Sequence, residues 1–161
     1  MTLSNCVAAT QMQAGVVPTL GVVVLVLLVG SACGFLNGFL VAYGRLAPII
    51  VTLATSSIFN GLALYVLPNP GGFVPEWYTN LLTGRLFDIV PTALIILIVL
   101  FLFIWTPLKR SPLGLSIYAV GSSESSARMS GLNVQRTKLL TYTIAGALCS
   151  MAALFLAAQT A

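Results

Sequence analysis

Catalysis near neutral pH needs side chains that exchange protons, bind metals or attack electrophiles, and this chain has few of them. It has no His, three Cys and three acids, Glu76, Asp88 and Glu124. All three lie in loops, Glu76 and Asp88 in one and Glu124 in another on the opposite side, so no acid–base pair inside a span is offered. Cys6, Cys33 and Cys149 sit in apolar surroundings without CxxC spacing, which gives neither a metal ligand set nor a disulfide framework. No nucleophile elbow or phosphate-binding glycine loop occurs. The residues therefore predict no enzyme, no cofactor and no metal site.

What remains is polar but uncharged. Asn37, Thr52, Thr55 and Asn60, with Ser56 and Ser57, interrupt long apolar runs. Such side chains either line a path for a hydroxyl-rich solute or bond to backbone carbonyls and neighbouring helices. A second set is made of small residues. Gly30, Gly34 and Gly38 recur every fourth position, and Gly146 with Ser150 repeats the spacing later. This pattern lets two helix backbones approach closely, within the chain or between copies.

The third set lies between Tyr118 and Val134. Ser122 or Ser123 can cap a short helix, Glu124 suits its positive end and Arg128 its negative end. Gly131 can stop the helix in a left-handed turn. Asn133 can cap the helix that follows. The small face formed by Ser125, Ser126, Ala127 and Ser130 offers little apolar area for a lipid surface, so docking in a protein cleft is expected.

The elements that must carry these residues follow from where charge is missing. The chain is 58% hydrophobic and 6% charged, against roughly 25% charged in a soluble domain. Residues 1–44, 46–75, 89–108 and 139–161 are free of charge. A hydrocarbon layer of roughly 30 Å needs about 20 apolar helical residues, so each run can span it. Spans are expected at about 16–43, 46–67, 89–106 and 139–158, following a polar link around Gln11 and Gln13. Pro48 suits a first helical turn. A Pro/Gly loop from Pro68 to Gly72 leads to Glu76, Trp77 and Tyr78, whose rings suit the headgroup level.

With these spans Arg45, Lys109, Arg110, Arg128, Arg136 and Lys138 share one side and Arg85 lies on the other. The bias places 107–138 in the cytoplasm as a loop and 68–88 outside. It also accounts for the net charge of +4 without nucleic acid. No ionisable group lies deep in a span, where proton relays and ion-coupled sites need one. Uphill work would have to draw on a partner. The expected fold is an all-α, polytopic integral membrane helix bundle.

Three segments in register carry a resemblance: Asn37 to Val41, Pro48 to Thr55, and Tyr118 to Gly121 leading into Ala127 to Val134. They resemble the permease subunits of ribose/galactose/xylose-type ATP-binding-cassette importers. The resemblance covers nearly the whole chain, with Ile49, Asn60 and Ser126 departing from the residues usual there. It corresponds to about the middle half of such a permease, since an earlier Gly-rich segment and later helices of the family have no counterpart. Both ends of 1–161 read as cuts through one larger, here partial, transmembrane domain.

The resemblance implies that 107–138 holds a coupling helix, with Gly121, Ser123, Glu124, Ala127, Arg128 and Gly131 in the ATPase-coupling loop. Gly30, Gly34, Gly38, Gly146 and Ser150 would pack helices, and Asn37, Thr52, Thr55 and Asn60 would line a pathway. Implied partners are a cytoplasmic ATP-binding subunit, a periplasmic or surface sugar-binding protein, a second permease subunit and membrane lipid. The alternatives are a truncated, non-transporting fragment, a helix-packing assembly protein, or a facilitative channel that leaves the 107–138 segment unexplained.

Overall fold

The computed structural model describes residues 6, 16–44, 46–66, 85–86 and 90–160. Arg45, the 68–72 loop, Glu76, Trp77, Tyr78 and Asp88 lie outside the described residues. The elements are α1 (Val16–Ala42), α2 (Pro48–Val66), β1 (Arg85–Leu86), β2 (Val90–Pro91) and α3 (Thr92–Leu100). A π-helical turn, Phe101–Trp105, joins α3 to α4 (Thr106–Arg110). Then follow α5 (Pro112–Ser122), α6 (Glu124–Met129) and α7 (Val134–Thr160). The fold is an all-α membrane helix bundle.

Three helices are long and apolar enough to cross a membrane: Gly21–Ala42, Pro48–Tyr65 and Val134–Ala157. The first has 22 residues, or about 33 Å at a rise of about 1.5 Å per residue, close to the hydrocarbon thickness. A fourth candidate is broken: Leu97–Arg110 and Pro112–Ser122 meet at a bend of 75°.

The core is the seam between α1 and α7. On α1 the buried positions Val22, Val26, Gly30, Gly34 and Gly38 recur every fourth residue and end at Val41 and Ala42. A Cβ on Gly30 would collide with Ser150, one on Gly34 would lie 3.0 Å from the Gly146 Cα, and one on Gly38 would lie 2.9 Å from the Tyr142 Cβ. Positions ascend on one helix as they descend on the other, so α1 and α7 are antiparallel neighbours. Val26, Ser150 and Ala153 are almost wholly buried there. The small residues of α1 thus face those of α7 within one chain. Lipid tails give no hydrophobic drive for association, so this approach gains its stability from van der Waals contact between backbones.

Other boundaries follow from prolines and differ from the sequence-based expectations. The third helix starts at Thr92 rather than 89, because Val90 and Pro91 pair antiparallel with Leu86 and Arg85. It continues past 106 to Arg110, because the backbone absorbs Pro107 instead of breaking. In an α-helix the Pro107 ring would press on the Phe103 carbonyl. Here Thr106 N–H donates to the Phe101 carbonyl, a π-type bond, and the Thr106 hydroxyl donates to the Leu102 carbonyl.

The 107–138 segment is mostly helical, not a loop. At the bend, Ser111 accepts from Gly114 N–H at 3.2 Å and donates to the Leu108 carbonyl at 2.7 Å. Pro112 opens α5, where its missing N–H costs nothing. The fourth apolar helix begins at Val134, five residues before the apolar run itself, because Asn133 caps it: Arg136 N–H donates to Asn133 Oδ1 at 3.1 Å.

Replacing Gly34 with Leu should force the seam apart, at a cost of about 3 kcal/mol, the upper range for overpacking. Gly61 on α2 has nothing within 4 Å of a built Cβ, so Gly61→Leu should be tolerated. Thermal unfolding in detergent is expected to show a lowered midpoint for the first variant and an unchanged one for the second.

Candidate functional site

The segment from Ser111 to Lys138 gathers most of the chemistry-bearing residues. α6 is only six residues long, too short to persist without help at both ends. Ser123, in extended conformation, caps its start by accepting from Ser126 N–H at 3.3 Å. Ser122 instead ends α5, and its hydroxyl donates to the Ala119 carbonyl. At the far end Gly131 has φ +79°. Gly131 N–H donates to the Arg128 carbonyl and Leu132 N–H to the Ala127 carbonyl, both at 3.1 Å. These two bonds satisfy carbonyls that a helix end otherwise leaves bare.

One side of α6 faces inward through Ala127, which is buried. The other side presents Ser125, Arg128 and Met129, with Met129 89% exposed. Glu124 ties the helix down. Its carboxylate accepts from Lys138 Nζ at 2.7 Å and lies 3.6 Å from the Arg128 guanidinium. The hydrogen bond from Lys138 holds the Glu124 carboxyl below its ordinary pKa, opposed by slight desolvation and assisted by the charges of Lys138 and Arg128. The contribution is present above about pH 4.3, the unperturbed Glu value. It fades as pH falls through the lowered one.

Ser123, Glu124, Ala127, Arg128 and Gly131 therefore form one compact element. Gly121 stands apart in the last turn of α5, and a Cβ there would meet nothing within 4 Å. Lys138 was missed by sequence reasoning. It lies fourteen residues from Glu124, and no local spacing rule pairs residues so far apart. A cavity of about 460 Å³ opens beneath α6, bounded by Leu46, Pro48, Glu124, Arg128, Gln135 and Lys138.

Asn37, Thr52, Thr55 and Asn60 are dispersed along α1 and α2, and none of them lines this cavity. Thr52 and Thr55 donate to the Pro48 and Val51 carbonyls at 2.9 and 2.8 Å. Ser56 and Ser57 both donate to the Leu53 carbonyl. These hydroxyls serve their own helix. Asn60 is exposed. Asn37 differs, because its Oδ1 is buried without a hydrogen-bond partner, an acceptor open to a donor from elsewhere. Among the described residues no three His, Cys, Asp or Glu side chains converge to hold a metal.

Gly131→Val would place a β-branched residue in the left-handed region, a strain of roughly 1–2 kcal/mol. Gly121→Ala meets open space and should be neutral. Hydrogen exchange of the Ser126–Leu132 amides is expected to speed up several-fold in the first variant only. The same amides should lose protection, after correction for intrinsic rates, as pH falls through the lowered pKa of Glu124.

Comparison with known proteins agrees with this architecture. The chain is 34% identical to the ribose import permease protein RbsC of Bacillus subtilis, covering 99% of this chain and 50% of that protein. It is 34% identical to the D-allose transport system permease protein AlsC of Escherichia coli, covering 94% and 47%. It is 32% identical to the autoinducer 2 import system permease protein LsrD of Photorhabdus luminescens, covering 89% and 45%. The chain thus spans about half the length of the curated relatives it matches. No solved structure matches it. The family model matches residues 1–161, and with its apolar helices the chain is a multi-pass protein of the bacterial cytoplasmic membrane. It belongs to the family described as the permease component of branched-chain amino acid transport systems.

Proposed function

We propose that this chain is the membrane-spanning part of an ATP-binding-cassette importer that carries a monosaccharide of the ribose/galactose/xylose class inward. A sugar is favoured over the amino acid of the family description because the relatives named for ribose and D-allose match 94% or more of the chain. The observation that carries the reading is α6: a short helix capped at both ends, anchored by Glu124 and Lys138, with Arg128 and Met129 directed outward. A permanent, pinned and small projection suits docking into a cleft of an ATPase subunit. The energy has to come from outside, since α1 and α2 contain no ionisable acid or base of the kind that couples to ion gradients.

In this reading the α6 side is cytoplasmic and the segment around Glu76 is external. A sugar-binding protein delivers to the external face, and a second permease subunit completes the pathway. Asn37 offers its open Oδ1 to a sugar hydroxyl. Thr52 and Thr55 donate to their own helix but keep lone pairs that accept, and Asn60 lies on the same helix. The role is transport; catalysis belongs to the ATPase.

Two measurements test it on the protein as it occurs in the cell. Ser125→Cys and Glu76→Cys, each in a background without other Cys, should differ in intact cells: an impermeant thiol reagent labels position 76 alone. Arg128→Glu should cut retention of the ATPase subunit on the purified protein about tenfold, equivalent to about 1.4 kcal/mol. Arg85→Glu should leave retention unchanged. Labelling at 125, or full retention with Arg128→Glu, would overturn the reading.

A further inference from the structure

We propose that the cavity beneath α6 binds the phosphodiester headgroup of an anionic phospholipid. This inference rests on the chain lying in a membrane and does not depend on transport. The cavity, of about 460 Å³, sits where three candidate spans end: Val41 and Ala42 close α1, Leu46 precedes α2 and Pro48 opens it, and Val134 opens α7. That level is where lipid phosphates lie.

Charge selects the ligand. Arg128 and Lys138 both lean on the single carboxylate of Glu124, so the group keeps one uncompensated positive charge. Lys138 commits one of its three donors to Glu124, at 2.7 Å. The Arg128 contact, at 3.6 Å, is longer than the roughly 2.8 Å of a charge-assisted hydrogen bond. Its guanidinium donors are therefore largely unspent, and Gln135 also lines the cavity. A phosphodiester carries the matching single negative charge. The glycerol and first acyl carbons would run along Val41, Leu46 and Pro48, an apolar wall that a free anion would leave unused. Basic pockets at the cytoplasmic ends of membrane helices bind anionic headgroups by this combination.

The test is lipid retention on the purified full-length protein, read by native mass spectrometry after exchange into detergent with phosphatidylglycerol or phosphatidylcholine. Phosphatidylglycerol should be retained about tenfold over phosphatidylcholine. Lys138→Gln should remove that preference, and Arg128→Gln should weaken it if Lys138→Gln does not fold. Glu124→Gln should raise retention, because it frees both cations from their internal anion. A purely structural ion network predicts the opposite sign, with Glu124→Gln and Lys138→Gln equally harmful or without effect on lipid. Equal retention of the two lipids, a loss with Glu124→Gln, or complete displacement by inorganic phosphate would each overturn the proposal. ATPase binding plays no part in the readout, so failure of the importer reading leaves this result intact.

Discussion

Everything in this structure depends on the close approach of α1 and α7. Two apolar helices in lipid have no solvent-driven reason to associate, because their side chains are equally well accommodated by acyl chains. What lipid cannot match is contact at backbone distance, which only a row of residues without side-chain bulk permits. Gly30, Gly34 and Gly38 on one helix and Gly146 and Ser150 on the other provide that row, with α-carbons and carbonyls filling the space a Cβ would need. Because the pairing is antiparallel, the end of α1 and the start of α7 arrive at the same level. That brings the α1–α2 turn beside α6 and creates the cavity between them.

From the seam outward, rigidity is passed on by progressively weaker devices. α7 holds α6 through one exposed ion pair, a modest interaction on its own, and the caps at each end of α6 add to it. α5 packs on α7 and is fixed to α4 by Ser111, and Gly114 is buried against the Leu108 carbonyl. Further back, the helix leaves α geometry at the π-helical turn before Pro107. Single π-turns of this kind are often found where helices serve function. Outside the seam, much apolar surface is left uncovered: Ile49, Leu53, Tyr65, Leu97 and Phe103 are all exposed. In a membrane such faces meet lipid or further helices, so their exposure carries no penalty.

Much of this was legible in the sequence, for identifiable reasons. The glycine spacing on α1 and its echo at Gly146 and Ser150 are visible because both lie at helical period, but the pairing of one with the other is a tertiary fact. Hydropathy could not supply it, as α1 is apolar on every side. The ends of α6 were readable from Ser123 and Gly131, and the start of α7 from Asn133, whose side chains or lack of one act within four residues. α5 was not, because Gly114, Ser116 and Gly121 lower its helical propensity and packing on α7 overrides that deficit. Pro107 reads as a helix end, and only the backbone shows a π-turn absorbing it. The hydroxyls of Thr52 and Thr55 illustrate a different limit: residue type alone does not say whether a hydroxyl serves its own helix or a solute.

The most direct measurement of the central claim is disulfide cross-linking of the seam in native membranes. Val26 and Ala153 are both fully buried and lie one turn beyond the Gly30–Ser150 contact, in the antiparallel register. With Cys6, Cys33 and Cys149 replaced by Ala, a chain carrying Val26→Cys and Ala153→Cys should oxidise rapidly to an intramolecular disulfide that migrates as a monomer. Moving the first thiol to the exposed Leu28 should abolish the reaction. A disulfide-linked dimer from the Val26→Cys, Ala153→Cys chain, or no cross-link at all, would contradict the account, because the glycine face would then serve a second copy or lipid instead of α7.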